Sequence, residues 1–382
     1  MSGSAHGRVV AVLVDGFGLD YWDRTPLPAL KRMAAEGIFR RGKAIFPSLT
    51  NANNVSLVTG AWPAEHGVTT NCYFDEASGT ARFLEDPAFL RAETIFQRAA
   101  ARGIRSALLT CKQKTLLLLG GATDVALCAE APDAATVDRL GAPPPMYSAE
   151  VNDWLLSAAL GLVRERPDLG LVYVHTTDFP MHAWAPEDPR SQAHLAMLDA
   201  RIGALREAAP DATFLVTADH GMTPKTRCID LAALCAERGL PVRFAVSPVA
   251  DRLVRHHRGF GGVSYVYLRR AGDAGPVREL LLGVPGVEAV LTRTEAAARF
   301  RLMAERIGEL VVLPDRDTVF GDLGVPVERL AADYRNHGSL HELDIPLLAC
   351  GPAAARLLPE APEHNLDLTR NLFRGPETGG AR

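Results

Sequence analysis

RVVAVLVDG, residues 8–16, is an apolar run of Val, Ala and Leu closed by an aspartate and a glycine. Runs of this kind suit a central parallel strand covered on both faces. The pattern recurs. RSALLTCK (105–112) ends at Lys112, LGLVYVHTTD (169–178) at Asp178, and ATFLVTADHG (212–221) at Asp219 and His220. Between them, residues 27–36, 93–102, 149–165 and 191–208 carry apolar side chains at helical spacing. Alternating strands and helices predict an α/β fold, a mostly parallel central sheet with helices on both faces. Ligands in such sheets bind beyond the carboxyl ends of the strands. One polar strand ending is unremarkable, since aspartate before glycine is a common turn former. Four of them converging at one end of a sheet is a signal.

Residues 229–330 read differently. The stretch 244–270 alternates like an exposed sheet, and 275–300 reads as helix, strand, helix. The expectation is a small α+β cap at 229–330, inserted into a core made of 1–228 and 331–382. LDIPLLACGP (343–352) then returns as a core strand, and the Gly/Pro-rich tail 374–382 is expected to fray.

A net charge of −4 over 382 residues argues against a nucleic-acid binder that relies on a diffuse basic face. The run Val9–Val14 is too short to span a membrane and lacks a cleavage-like site after it. The six cysteines contain no C-x-x-C pair and read as buried thiols of a reducing compartment. A cytoplasmic protein is expected, with no membrane or nucleic-acid partner. The sequence leaves a monomer and a homodimer both open.

The chemistry begins at AIFPSLTNANNVSLVTG, residues 44–60. Thr50 falls in a small-polar stretch with Ser48, Asn51, Asn53 and Asn54 that reads as a loop outside the core, suited to gripping a tetrahedral oxyanion. With Asp15, Asp178, His182, Asp219, His220 and His337, the chain offers three carboxylates, three imidazoles and a hydroxyl. That set matches hydrolytic dizinc chemistry, because zinc takes His nitrogen and Asp oxygen, and paired ions clamp a displacement at phosphorus. Asp178 and His182 are one helical turn apart. Each residue also has a bland role: helix N-cap for Asp178, satisfied surface histidines for His182 and His337, a capped turn around Thr50. NHGSLHE offers His341 as a competitor to His337. In TCKQK (110–114), Lys112 and Lys114 would share one face if the strand continued; the bland alternative is a pair of solvated strand-end charges.

Several stretches together resemble the alkaline phosphatase superfamily in its nucleotide pyrophosphatase/phosphodiesterase branch. They are VDGFG (14–18), FPSLTNANNVSLVTGAWPAEHGV (46–68), TDFPMH (177–182), TADHGM (217–222) and NHG (336–338). The resemblance implies that Asp15, Thr50, Asp219 and His220 bind one zinc, and Asp178, His182 and His337 a second, other divalent ions being open. It implies Thr50 as nucleophile and Asn53 as donor to a phosphoryl oxygen. The H-G step favours His337 over His341. Phosphodiesterases of this branch usually carry Phe-Pro after the nucleophile, where this chain has Asn51-Ala52. TNANNVS (50–56) and Lys112/Lys114 look instead like the phosphonoacetate hydrolase group, in which such lysines hold the substrate carboxylate. The implied substrate is a small anionic phosphonate, phosphonoacetate, cleaved at its C–P bond to acetate and phosphate. The alternative is a nucleotide or aryl phosphodiesterase, with Phe17, Tyr73, Phe74 and Trp184 as a slot for a base.

Overall fold

All five residues of the strand Val9–Leu13 are buried, so both faces of the sheet around it are covered. A computed structural model describes residues 7–246 and 258–374. Its central sheet has seven strands, in the order Ile38–Lys43, Asp344–Cys350, Thr213–Thr217, Val9–Leu13, Leu169–His175, Arg105–Thr110, Val125–Cys128. The last five of these run parallel. Asp344–Cys350 is the core strand expected at 343–352, but it lies antiparallel to both neighbours. The four expected helices form at Pro28–Glu36, Ile95–Ala100, Glu150–Glu165 and Pro189–Ala208.

Register decides where the site falls. Leu13 lies opposite both His175 and Thr217, and Thr110 lies opposite His175. The strand ends are therefore flush, and the residues that follow them emerge at one edge of the sheet.

A four-stranded antiparallel sheet follows, Phe244–Val246, Ser264–Tyr267, Leu310–Pro314 and Val287–Thr292 in order. Helices Ala274–Leu282 and Arg293–Phe300 flank its last strand in the chain order expected for 275–300. At Ser264–Tyr267 side chains alternate between two faces, but neither face is exposed. Tyr265 and Tyr267 pack with Phe46 and Phe74 of the N-terminal half, whereas Val266 packs with Leu281 and Val290 on the other side. Residues 247–257 of that stretch, and the tail 375–382, lie outside the described residues. All six cysteines are free and buried. Among the described residues, no helix is long and apolar enough to cross a membrane.

Two histidines away from the strand ends tie stability to pH. His66 is fully buried; its Nδ1 accepts from the Val68 amide and its Nε2 lies 2.8 Å from the Ser56 hydroxyl. Burial, reinforced by Arg306, pushes its pKa down to about 3, and burial pushes His194 down to about 4. The unfolded chain binds these protons near pH 6.5 and the folded chain refuses them, so stability falls as pH drops below that value. Between pH 7.5 and 4.5 the two groups are expected to remove about 5 kcal/mol. Urea denaturation at both pH values checks this; replacing both histidines by glutamine should remove a part of the slope of that size, the buried histidines at the strand ends keeping the rest.

Candidate active site

Thr50 does not sit in a loop. It is the first residue of a helix, Thr50–Thr59, closed by Gly60 in the left-handed conformation. Residues 51–59 are buried, which corrects the expectation of a solvated polar loop. The helix tolerates its asparagines because their amides are bonded. Asn53 is fully buried, donates to the carbonyls of Ile45, Pro47 and Leu49, and accepts from the Ile45 amide. It staples the chain that delivers Thr50, so its amide is not available to a phosphoryl oxygen, contrary to the role the resemblance implied. The helix has no side-chain N-cap, and the amides of its first turn lack intrahelical partners.

Around the Thr50 hydroxyl the strand ends converge. Its oxygen lies 3.2 Å from His220 Nε2 and 3.5 Å from Asp15 Oδ1. His220 Nε2 is 3.4 Å from Asp219 Oδ2 and 3.5 Å from Asp15 Oδ1. A second cluster adjoins the first: Asp178 Oδ2 lies 3.0 Å from His182 Nε2 and 3.7 Å from His337 Nε2. The His220 and His337 rings stack at 3.6 Å and join the clusters. His341 stands apart, 2.7 Å from Glu288.

Lys112 bridges the clusters. Its ammonium is 2.6 Å from Asp15 Oδ2 and 3.2 Å from Asp178 Oδ1. The route there differs from the one expected. The strand ends at Thr110, Lys112 is the N-cap of helix Gln113–Leu119, and Lys114 lies in the first turn of that helix, half-buried. The strand does not continue through this pair, so Lys112, extended at the N-cap, and Lys114, helical, do not share a strand face. Sequence reasoning also passed over His175, the last residue of its strand, fully buried and with Nε2 3.3 Å from Asp15 Oδ2. Its signal was its place at a strand end, masked by the aspartate three residues later.

The electrostatics are those of crowded anions. Burial and Asp178 push Asp15 upward, but Lys112 and His175 outweigh them and hold it below the ordinary carboxylate range. Burial, with Asp15 adding to it, pushes Asp219 well above that range. Burial drives His220 and His337 down, so both are neutral at pH 7.

A profile of the type I phosphodiesterase/nucleotide pyrophosphatase family matches residues 9–339, most of the chain and every strand end just described. The chain belongs to this family. Among family relatives, an ectonucleotide pyrophosphatase/phosphodiesterase of Caenorhabditis elegans is 28% identical over 230 residues, 58% of this chain and 26% of that protein. A bis(5'-adenosyl)-triphosphatase of Mus musculus is 26% identical over 264 residues, 65% of this chain and 55% of that protein. This family member therefore spans only part of the length of those relatives. Coverage is nearly complete for phosphonoacetate hydrolase from Sinorhizobium meliloti 1021. Its structure in complex with phosphonoacetate has 32% sequence identity and a TM-score of 0.85, covering 96% of this chain and 95% of the other. The complex with phosphonoformate gives 31% and 0.86.

Members of this family are metallohydrolases, and the side chains here fit metal ions on their own geometry. His182, His220 and His337 each have Nδ1 2.9 Å from a backbone carbonyl, of Arg335, Gly221 and Ser48. A carbonyl only accepts, so each Nδ1 carries a proton, and in His220 and His337, which burial keeps neutral, a lone pair at Nε2 is turned toward a carboxylate. An acceptor facing an acceptor at 3.4–3.7 Å calls for a cation between them, and His182 Nε2 faces the same Asp178 carboxylate at 3.0 Å. Asp219 Oδ2 is buried and accepts no hydrogen bond. Two groups of three, Asp178/His220/His337 and Asp15/His175/Asp219, could each hold an ion.

Proposed function

We propose that this chain is a divalent-metal hydrolase that cleaves the carbon–phosphorus bond of phosphonoacetate, with Thr50 as nucleophile. The observation that carries this is one buried ammonium, Lys112, set between two carboxylate–histidine clusters beside a helix-terminal hydroxyl. Asp15, Thr50, Asp219 and His220 would hold one ion and Asp178, His182 and His337 the other, zinc or another divalent metal. Bound there, the ions would lower the pKa of the Thr50 hydroxyl and offset the charge of the phosphoryl oxygens.

The remaining work falls to the chain's own groups. The unpaired amides at the start of the Thr50 helix suit phosphoryl oxygens. The Thr50 oxygen bonds to phosphorus as the C–P bond breaks. The electron pair stays on carbon, delocalised into the neighbouring carboxylate, and the carbon then takes a proton from water to give acetate. Water next breaks the Thr50–phosphorus ester, releasing phosphate and restoring the hydroxyl. The carbanion is the difficult species, and Lys112 is within reach of any anion bound over Asp15 and Asp178. Lys114 is proposed as a weaker contributor from its helical position, and Asn53 as a support for Thr50 rather than a donor to substrate.

The likeness to a hydrolase solved with phosphonoacetate, over nearly the whole of both chains, supports this substrate class. The reading includes a cytoplasmic setting, supported by six buried free thiols. It also treats 229–330 as an inserted cap. Its Gly262 amide donates to the carbonyl of His337, so it packs directly on a proposed ligand. A nucleotide or aryl phosphodiesterase is the second reading, but its aromatic slot is weakly supported. Phe17 is buried in the main core, Phe74 packs against Tyr267 and Phe244, and Tyr73 meets Phe89 edge-on.

Phosphate release from phosphonoacetate, set beside cleavage of bis(p-nitrophenyl) phosphate, tests the choice. Phosphonoacetate is expected to have the higher kcat/KM, and Lys112→Ala to lower it by roughly 10²-fold with a smaller loss on the diester. A diester rate equal to or above the phosphonoacetate rate would favour the second reading.

A further inference from the structure

Four histidines face the aspartates of the two clusters, and one is wired in the opposite sense. His175 Nδ1 lies 3.1 Å from Asn54 Nδ2 and 3.2 Å from Thr110 Oγ1. The Asn54 amide is oriented by Tyr173, whose hydroxyl donates to Asn54 Oδ1 at 2.7 Å. With that oxygen taken, the Asn54 NH₂ faces the imidazole and donates to Nδ1. Thr110 Oγ1 already accepts from the Lys112 amide, so its own proton is free to point at the same nitrogen. Nδ1 of His175 is therefore an acceptor, and the ring proton belongs on Nε2, the atom facing Asp15 Oδ2.

We infer that His175 is a positioning residue for Asp15, and that Asn54 fixes the tautomer it needs. The two oxygens of Asp15 have separate surroundings. Oδ2 is held by Lys112 and faced by His175, while Oδ1 faces Thr50 and His220. A donor on the Oδ2 side turns Oδ1 toward the nucleophile. Asn54 lies one turn after Thr50 on the same helix, so the chain Tyr173–Asn54–His175–Asp15 links the nucleophile to the carboxylate beside it. His182, His220 and His337 have Nδ1 on a carbonyl and leave Nε2 for a ligand's role; His175 presents a proton at Nε2, so of its group with Asp15 and Asp219 the two carboxylates alone would be ligands.

The inference rests on the two-ion reading above, and the test separates the two. Metal-loaded protein is prepared with ¹⁵N-labelled histidine, and the imidazole nitrogen shifts are assigned by substitution. His175 should appear protonated at Nε2 with Nδ1 unprotonated, and the three others protonated at Nδ1. A His175 signal protonated at Nδ1 and metal-shifted at Nε2 would make it a ligand and overturn the inference. Asn54→Asp is the companion variant, since a carboxylate there would accept from Nδ1 and pull the proton off Nε2. In Asn54→Asp and in His175→Gln, titration against a chelator should show one metal equivalent weakened by about 10–100-fold and the other unchanged. Both equivalents at wild-type affinity in His175→Gln would also overturn it, whether or not Asn54→Asp folds. Wild-type protein that binds no metal would instead sink the two-ion reading itself.

Discussion

Thr50→Ala is expected to lower turnover by at least about 10³-fold while leaving two metal ions bound. The substitution removes the only hydroxyl among the described residues that is set against His220 and Asp15 together, at 3.2 Å and 3.5 Å. It leaves three aspartates and three histidines untouched, enough to hold both ions. The helix should survive, because its entry is fixed by Asn53 and its exit by Gly60 rather than by the Thr50 side chain. Thr50→Ser keeps the hydroxyl and should stay within about tenfold of wild type. Steady-state rates beside metal analysis check both. Turnover near wild type in the alanine variant would remove Thr50 from the mechanism.

The largest loss of stability expected from a single substitution lies behind the site. Lys225 and Glu342 form a fully buried ion pair at 2.8 Å, and Lys225 also donates to the Arg316 carbonyl. Glu342 further accepts from the Ser339 amide and hydroxyl and from the Thr223 hydroxyl. Burial pushes its pKa up, but Lys225 and these donors outweigh burial and hold it below the ordinary range. Its main-chain carbonyl accepts from Gly221, the residue after His220. One carboxylate thus joins the segment carrying His220 to the segment carrying His337. Lys225→Met would strand that charge without its cation, and breaking a buried pair from one side costs about 3–5 kcal/mol. Urea unfolding should show a loss of this size, together with weaker metal retention, and Lys225→Met/Glu342→Gln should recover part of it. A loss below about 1 kcal/mol in the single variant would mean that the pair is not desolvated as described.

The parts of the fold legible in the sequence were those written as unbroken apolar runs. Val9–Leu13, Leu169–His175 and Thr213–Thr217 need both faces covered, and such runs have few other places to go. Strand direction was not legible, because Asp344–Cys350 has the same composition whether parallel or antiparallel. Ile38–Lys43 was missed because an edge strand reading IFRRGK carries no apolar run. The small-polar stretch at 48–54 looked like a loop because asparagine is a poor helix former. The distant partners of Asn51 and Asn54, and the bonds of Asn53 to the segment just before it, make it a buried helix. Residues gathered around Thr50 could be anticipated from strand endings. Lys114 could not be placed that way, since the chain turns into a helix at Lys112. His175 was hidden because which ring nitrogen carries the proton depends on Asn54 and Tyr173, contacts that no local pattern records.

Asp15, Asp178, His182, Asp219, His220 and His337 are proposed to gather two cations beside one hydroxyl. Anomalous diffraction from crystals of the zinc-loaded protein tests it most directly. The expected map has two peaks roughly 4 Å apart, one of them within about 2.2 Å of Thr50 Oγ1. A single peak, or a pair remote from Thr50, would contradict the account.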